Sequence, residues 1–431
     1  MKKKLVALTL VLAMGTAALT ACGNSGNAKK SDNASANTPA TETEDSTEVQ
    51  DVTLKVWAPE EEQEVTKQMC DSFAENHPEY NLTFDISVVG VDDTIDAMKK
   101  DNSVAADVFL YPSGGIAELV EAGLIYPITV DIDQVKDIQG EGAIKACTMN
   151  DEVYGIPVTP NSWFMYYDKS KYSEEDVKSL DTMMAKDLGD DIYNFSCTVS
   201  NSWYMEAFFY ANGGTLFGEN GDDPTECSWN DENGYKAANY LLNLVNNPKY
   251  VEDADGLAGS LASEGKLAAF CSGTWSAEDA QKYYGDNYAA CKLPTINIDG
   301  TDYQLSNFAD YKAYGVNSAT ANPKAAQQLA EWLGGEECQL LRFQQVNSTA
   351  PTIPSLAENE EVAANPAVAA LCLQTNYSTP NPTTSQLGNY WDPASAFGAG
   401  LVNGDITESN LQDSLDAMVD GFLATIASDT E

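Results

Sequence analysis

An α/β fold with a largely parallel sheet is predicted by three observations. Strand-like and helix-like patterns alternate between residues 52 and 123 at the spacing of strand–helix–strand units. The chain has 431 residues, 43% of them hydrophobic, enough for two or three domains of roughly 100–200 residues each. Turn-forming residues such as Tyr111-Pro-Ser-Gly-Gly115 close the strands at their carboxyl ends, where ligand sites of open α/β sheets lie.

The elements follow in order. Val52-Thr-Leu54-Lys-Val56-Trp57 alternates as a strand does. Pro59 and the run Glu60-Glu61-Glu62 then open a helix, because proline suits the first turn and acids suit the positive end of the helix dipole. Val65, Met69 and Phe73 share one helix face, and Asn76-His77-Pro78 stops it. A second strand covers Leu82 to Val88, a short helix about Asp92 to Lys100, a third strand Asp107 to Leu110, and a helix follows to Ala122-Gly123. Further helices are expected over Gly234 to Val245 and Pro323 to Leu333, the latter broken at Gly334-Gly335. The last begins near Thr407 and carries Leu411, Leu415, Met418 and Phe422 on one stripe.

Near the C-terminus, Ser378-Thr-Pro-Asn-Pro382 precedes Leu387-Gly-Asn-Tyr390-Trp391-Asp392. The prolines resist helix and hold the loop extended. Two adjacent aromatics beside Asn and Asp make a flat apolar face ringed by hydrogen-bonding groups. A sugar, with an apolar C–H face and peripheral hydroxyls, is its complement.

Lys2-Lys3-Lys4 and the apolar run Leu5 to Ala18 form a targeting segment too short for a stable membrane span. Leu19-Thr-Ala-Cys22 resembles the lipobox of bacterial lipoproteins. That resemblance implies a signal peptide over 1–22 and a lipid-modified thiol on Cys22 as the mature N-terminus. Residues 23–50 are rich in Asn, Ser, Thr, Ala and acids, without an aromatic, and read as a flexible tether. Formal net charge is −43, and loss of 1–22 removes three lysines and no acid. Such charge argues against nucleic acid or an anionic membrane surface as partner. Eight cysteines remain beyond Cys22, widely spaced and without a CxxC, and the single histidine is His77. A zinc cluster is not indicated, no metal or other cofactor is expected, and buried free thiols are the preferred reading.

Several segments together resemble the extracellular solute-binding family of ABC importers, and within it the maltose/maltodextrin-binding lipoproteins. They are Leu54-Lys-Val-Trp57, Asp71-Ser-Phe-Ala-Glu75, Asp107-Val-Phe109, Ala122-Gly-Leu-Ile125, Tyr154-Gly-Ile-Pro157 to Lys169, Ala268 to Trp275, Phe308 to Asn317 and Pro380 to Trp391. The resemblance covers roughly 52–430. It implies a two-lobed periplasmic-binding-protein-like fold (type II), hinged by three crossings. The first lobe would take 51–158 and 312–362, the second 159–311 and 363–431. It implies ring-stacking aromatics at Tyr111, Trp203, Trp275 and Trp391, with Tyr204 as a further candidate. Polar contacts fall on Asn161 and Asn201, and a hydroxyl-binding acid on Glu60 or Glu61. A solvated helix start explains those two acids equally well, and Trp163 faces either cleft or core. The charged pair of the maltodextrin binders is missing after Tyr111, where Ser113-Gly114 stands.

The function so implied is non-enzymatic. A monomer held on the outer face of a membrane through Cys22, in a bacterium of Gram-positive type, would bind maltooligosaccharides between its lobes and deliver them to ABC permease subunits. The same architecture could take a xylo-, galacto- or fructo-oligosaccharide, because site residues diverge quickly on a shared fold. A secreted glycoside hydrolase needs two carboxylates across a bond. With 66 acids, candidate pairs carry no information, and neither GxSxG nor HExxH occurs.

Overall fold

A computed structural model describes residues 49–346 and 349–425. Cys22, the signal peptide and nearly all of the tether lie outside the described residues. Two mixed sheets organise the rest. In the first, strand Gln50–Ala58 pairs in parallel with Tyr80–Val88 on one side and Val108–Pro112 on the other. Strand Phe308–Val316 then pairs antiparallel with both Val108–Pro112 and Ile156–Asn161. The second sheet runs in the order Tyr288–Cys291, Trp163–Asp168, Ala269–Gly273, Phe195–Cys197, Tyr250–Glu252.

The alternating strand Gln50–Ala58 buries Val52, Leu54 and Val56. The helix behind it spans Gln63–Asn76, and its buried face is Val65, Met69 and Phe73, as the periodicity predicts. Glu60–Glu62 forms a single 3₁₀ turn ahead of it. The strand expected over Leu82 to Val88 begins two residues earlier, at Tyr80. The helix Pro323–Leu333 has the expected bounds. The last helix is Leu411–Phe422, four residues later than expected. The Asn410 side chain accepts from the Thr407 backbone N–H at 2.7 Å, and this local turn satisfies the amide without a helix.

The sheets have separate apolar cores. One packs Val52, Leu54, Val56, Met69 and Phe73 with Tyr314 and Leu329. Another packs Trp163, Met165, Phe208, Trp229, Tyr390 and Phe422 around the second sheet. The chain passes between sheets at Ser162, which separates strands Ile156–Asn161 and Trp163–Asp168. It passes back along Phe308–Val316, whose first residue is in the second core and whose last is in the first. These two passages lie side by side, because Ser162 Oγ donates to the Phe308 carbonyl at 2.8 Å.

A buried ion pair ties helix Glu336–Val346 to the turn that opens helix Gln63–Asn76. Arg342 Nε donates to Glu62 Oε2 at 2.9 Å, and Arg342 Nη2 donates to the Tyr314 hydroxyl at 2.7 Å. The eight thiols from Cys70 to Cys372 are free, and most are buried. Among the described residues no helix is long and apolar enough to cross a membrane.

Candidate functional site

The C-terminal loop and the start of helix Ser202–Ala211 meet at the passage between the sheets. Trp391 opens helix Trp391–Asn403 instead of ending a loop. Its ring centroid lies 6.3 Å from that of Trp203 and 6.1 Å from that of Phe308. Trp203 is also 6.1 Å from Phe308. Phe308 is fully buried, while both tryptophans are half-buried. The three rings thus form a platform with an apolar floor and two partly open indoles.

Hydrogen bonds hold this pair of helices. Asn201 caps the first, its side chain accepting from Trp203 N at 2.8 Å. Ser202 N donates to Ser395 Oγ at 3.1 Å, Ser395 Oγ donates to Ser202 Oγ at 2.9 Å, and Tyr390 Oη donates to the Ser202 carbonyl at 2.7 Å. Glu252 accepts from Val199 N and Ser200 N at 3.1 and 2.9 Å, fixing the loop before Asn201. Gly398 is required here, since a Cβ on it would stand 2.0 Å from the Val199 carbonyl oxygen.

The other expected residues divide. Tyr204 packs its ring 5.0 Å from that of Trp163. Trp163 itself is fully buried, so it belongs to the core. Trp275 is 44% exposed. Its ring folds over Gly273, where a Cβ would meet it at 2.1 Å. Glu60 and Glu61 are exposed at the carboxyl end of the first strand, and the buried acid of that run is Glu62. Asn161 is turned inward, donating through Nδ2 to Asp310 Oδ2 at 2.6 Å.

Tyr111 differs from expectation. It is 0% exposed, packed 6.0 Å from the Phe109 ring and tucked against Gly155, where a Cβ would lie 2.5 Å from its hydroxyl. Neither ring face is open to a ligand. It is the penultimate residue of strand Val108–Pro112, and its ring packs in a buried cluster with Phe109, Ile116, Cys147 and Ala313. Burial also pushes its hydroxyl well above the usual tyrosine range. A surface recess of about 790 Å³ between Ala277, Tyr288, Phe343 and Pro366 contains none of the candidate residues.

Two buried acids were not anticipated. Asp310, on the passage strand, accepts from Ser113, Gly114, Asn161 and Asn381. Glu206 lies in a helix that is apolar nearly all round, and its Oε1 accepts from Trp163 Nε1 at 3.2 Å and Phe308 N at 3.3 Å. Its Oε2 has no partner. Each acid interrupts a run of core residues, and that was the available signal.

Burial is the largest cause holding the Glu206 carboxyl well above the usual carboxylate range. The folded state therefore keeps this proton after the unfolded chain has lost it. Its contribution to stability is greatest below the ordinary carboxylate range and declines as pH rises toward the folded-state value. Glu206→Gln is expected to abolish that part of the decline. Melting curves of both proteins from pH 4 to 8 check it: parallel curves would mean that Glu206 does not titrate between the two states.

A family of bacterial extracellular solute-binding proteins matches residues 68–370. The chain belongs to this family. The solute-binding protein is 25% identical over 355 residues to a galactooligosaccharide-binding protein of Bacillus subtilis (strain 168), covering 79% of this chain and 82% of that one. It is 27% identical over 328 residues to a maltooligosaccharide ABC transporter solute-binding lipoprotein of Streptococcus pneumoniae (strain ATCC BAA-255 / R6), covering 72% and 75%. A solved structure in complex with acarbose superposes with a TM-score of 0.81 at 34% identity, over 86% of this chain and 98% of that one. The fold is the two-lobed type II binding-protein fold.

Proposed function

We propose that this protein binds maltooligosaccharides between its lobes and delivers them to an ABC permease without turning them over. The observation that carries the reading is the platform of Trp203, Trp391 and Phe308 on the strand that joins the sheets. Indole faces complement the apolar side of a glucose ring. The named ligands of its relatives, maltooligosaccharides and acarbose, support the choice of sugar. In this reading Trp275 and Tyr204 are further apolar contacts for the sugar, and Asn201, Glu60 and Glu61 its polar contacts.

The first lobe takes 51–158 and 312–362, the second 159–311 and 363–431. Ligand favours the closed arrangement because only there do both lobes touch it. The protein works as a monomer on the outer face of the membrane, anchored through a lipid on Cys22.

Calorimetric titration with maltotriose tests this, with xylotriose and galactotriose alongside. Micromolar binding of maltotriose is expected, about −8 kcal/mol. Heat with galactotriose alone would favour a second reading, a galactooligosaccharide binder, which the Bacillus relative supports. Heat with xylotriose alone would keep the transport role and discard the α-glucan. A platform that binds none of the three would remove the sugar assignment.

A further inference from the structure

In the second sheet, strand Phe195–Cys197 runs parallel to strand Ala269–Gly273, with Ser196 opposite Phe270. One step along, the same register sets Cys197 opposite Cys271. Side chains alternate across a sheet, and residues level with one another on neighbouring strands share a face. The two cores agree with this placement. Phe270 packs with Phe164 and Tyr166 on one face, whereas Cys197 and Cys271 pack with Met165 on the other. Cys197 and Cys271 are 1% and 5% exposed, and both thiols are free in this structure.

The row continues across the sheet. Met165 is paired with Cys271 on one side and with Cys291 on the other. Of these three thiols, only Cys197 and Cys271 stand on adjacent strands. Neighbouring strands are about 4.8 Å apart, within the separation of about 4.4–6.8 Å at which a disulfide joins two Cα atoms. Cys291 is two strands from Cys271, about 10 Å, and reaches it only if the backbone moves. Burial first, and then the neighbouring Cys271 thiol, push the Cys197 thiol well above the usual range.

We propose that Cys197 and Cys271 are a redox modification site, joined as a disulfide while the chain folds outside the cell. The family is extracellular, and disulfides form and persist in oxidising surroundings. The oxidant is a low-molecular-weight disulfide. One protein thiolate attacks it and releases a small thiol. The second protein thiolate attacks the mixed disulfide, forms the Cys197–Cys271 bond and releases the other small thiol. The two cysteines give up two protons and two electrons, and the oxidant is reduced to two thiols. Once the row is buried an oxidant has no approach, so folding fixes the state of the pair.

The place of the bond gives it an effect. Cys197 ends its strand, and Thr198 to Asn201 lead from it to Trp203. Cys271 is followed on its own strand by Gly273 and then by Trp275. The disulfide staples the two strands just before the loops that carry these rings. It also closes a long stretch of chain, which restricts the unfolded state.

The test unfolds the full chain in urea and refolds it with reduced and oxidised glutathione, or with reductant alone. Remaining thiols are alkylated, and chymotryptic peptides are read by mass spectrometry. A peptide pair linking Cys197 to Cys271 is expected from the oxidised sample only. The oxidised protein is expected to melt about 5 °C above the reduced one. That difference is expected to vanish in Cys197→Ala and in Cys271→Ala. The linked peptide is read on wild type, so the result does not depend on how either variant folds. Alkylation of both cysteines after oxidative refolding would overturn the proposal, as would linkage of either one to another cysteine such as Cys291. A melting difference that persists in whichever variant folds would also reject it, because another pair would then be its source.

Discussion

Trp391→Ala is expected to weaken maltotriose binding about 30-fold, with the fold intact. The indole is half-buried, backed by Tyr390 at 5.0 Å and 72° and flanked by Trp203 at 6.3 Å. Covering about 80 Å² of its free face with a sugar, at about 25 cal/mol per Å², contributes about 2 kcal/mol. The surrounding clasp of Ser202, Ser395 and Tyr390 uses no atom of the Trp391 side chain. Loss of the ring therefore leaves the helix pair in place. Calorimetry reads the affinity, and a melting curve confirms folding. Trp391→Phe should recover part of the loss, because a smaller ring covers less of the sugar. Full affinity of Trp391→Ala for every sugar that wild type binds would remove this residue from the site.

Arg342→Met is expected to cost about 3–5 kcal/mol of stability, the range for breaking a buried pair by removing one partner. Arg342 and Glu62 side chains are 1% and 3% exposed, so the remaining carboxylate has no water to turn to. The Tyr314 hydroxyl loses its donor in the same step. Replacing both charges, as in Glu62→Leu with Arg342→Met, should recover most of the loss, because the desolvation of two ions disappears with them. Denaturant midpoints of the four proteins in this cycle measure the coupling directly. A double variant as unstable as Arg342→Met would mean that the pair's shape, not its charge, supports the first lobe. Neither residue lies in the aromatic platform, so sugar affinity at low temperature should be unchanged wherever the protein is folded.

The α/β alternation, the buried face of Gln63–Asn76 and the limits of Pro323–Leu333 were readable because they depend on local periodicity and on proline and glycine. Trp391 stood out locally through its proline-held loop, whereas Trp203 was singled out only by the family resemblance. Each stands at a helix start, after a cap or a proline-held loop, where a large ring extends past the backbone.

Tyr111 shows where local pattern fails. Its place at the carboxyl end of a strand and the family resemblance made it a candidate stacking ring, but Gly155 of a distant segment leaves room for that ring to turn inward. Asp310 shows the converse. One acid in an apolar strand signals a buried carboxylate, yet its partners come from residues 113, 114, 161 and 381. Strand and helix boundaries, the amphipathic stripes and the candidate aromatics follow from residues within a few positions of one another, because propensity and periodicity act over one or two turns. Which rings meet and which acids are buried depend on donors and cavities brought from up to 200 residues away, and those contacts exist only once the chain has packed.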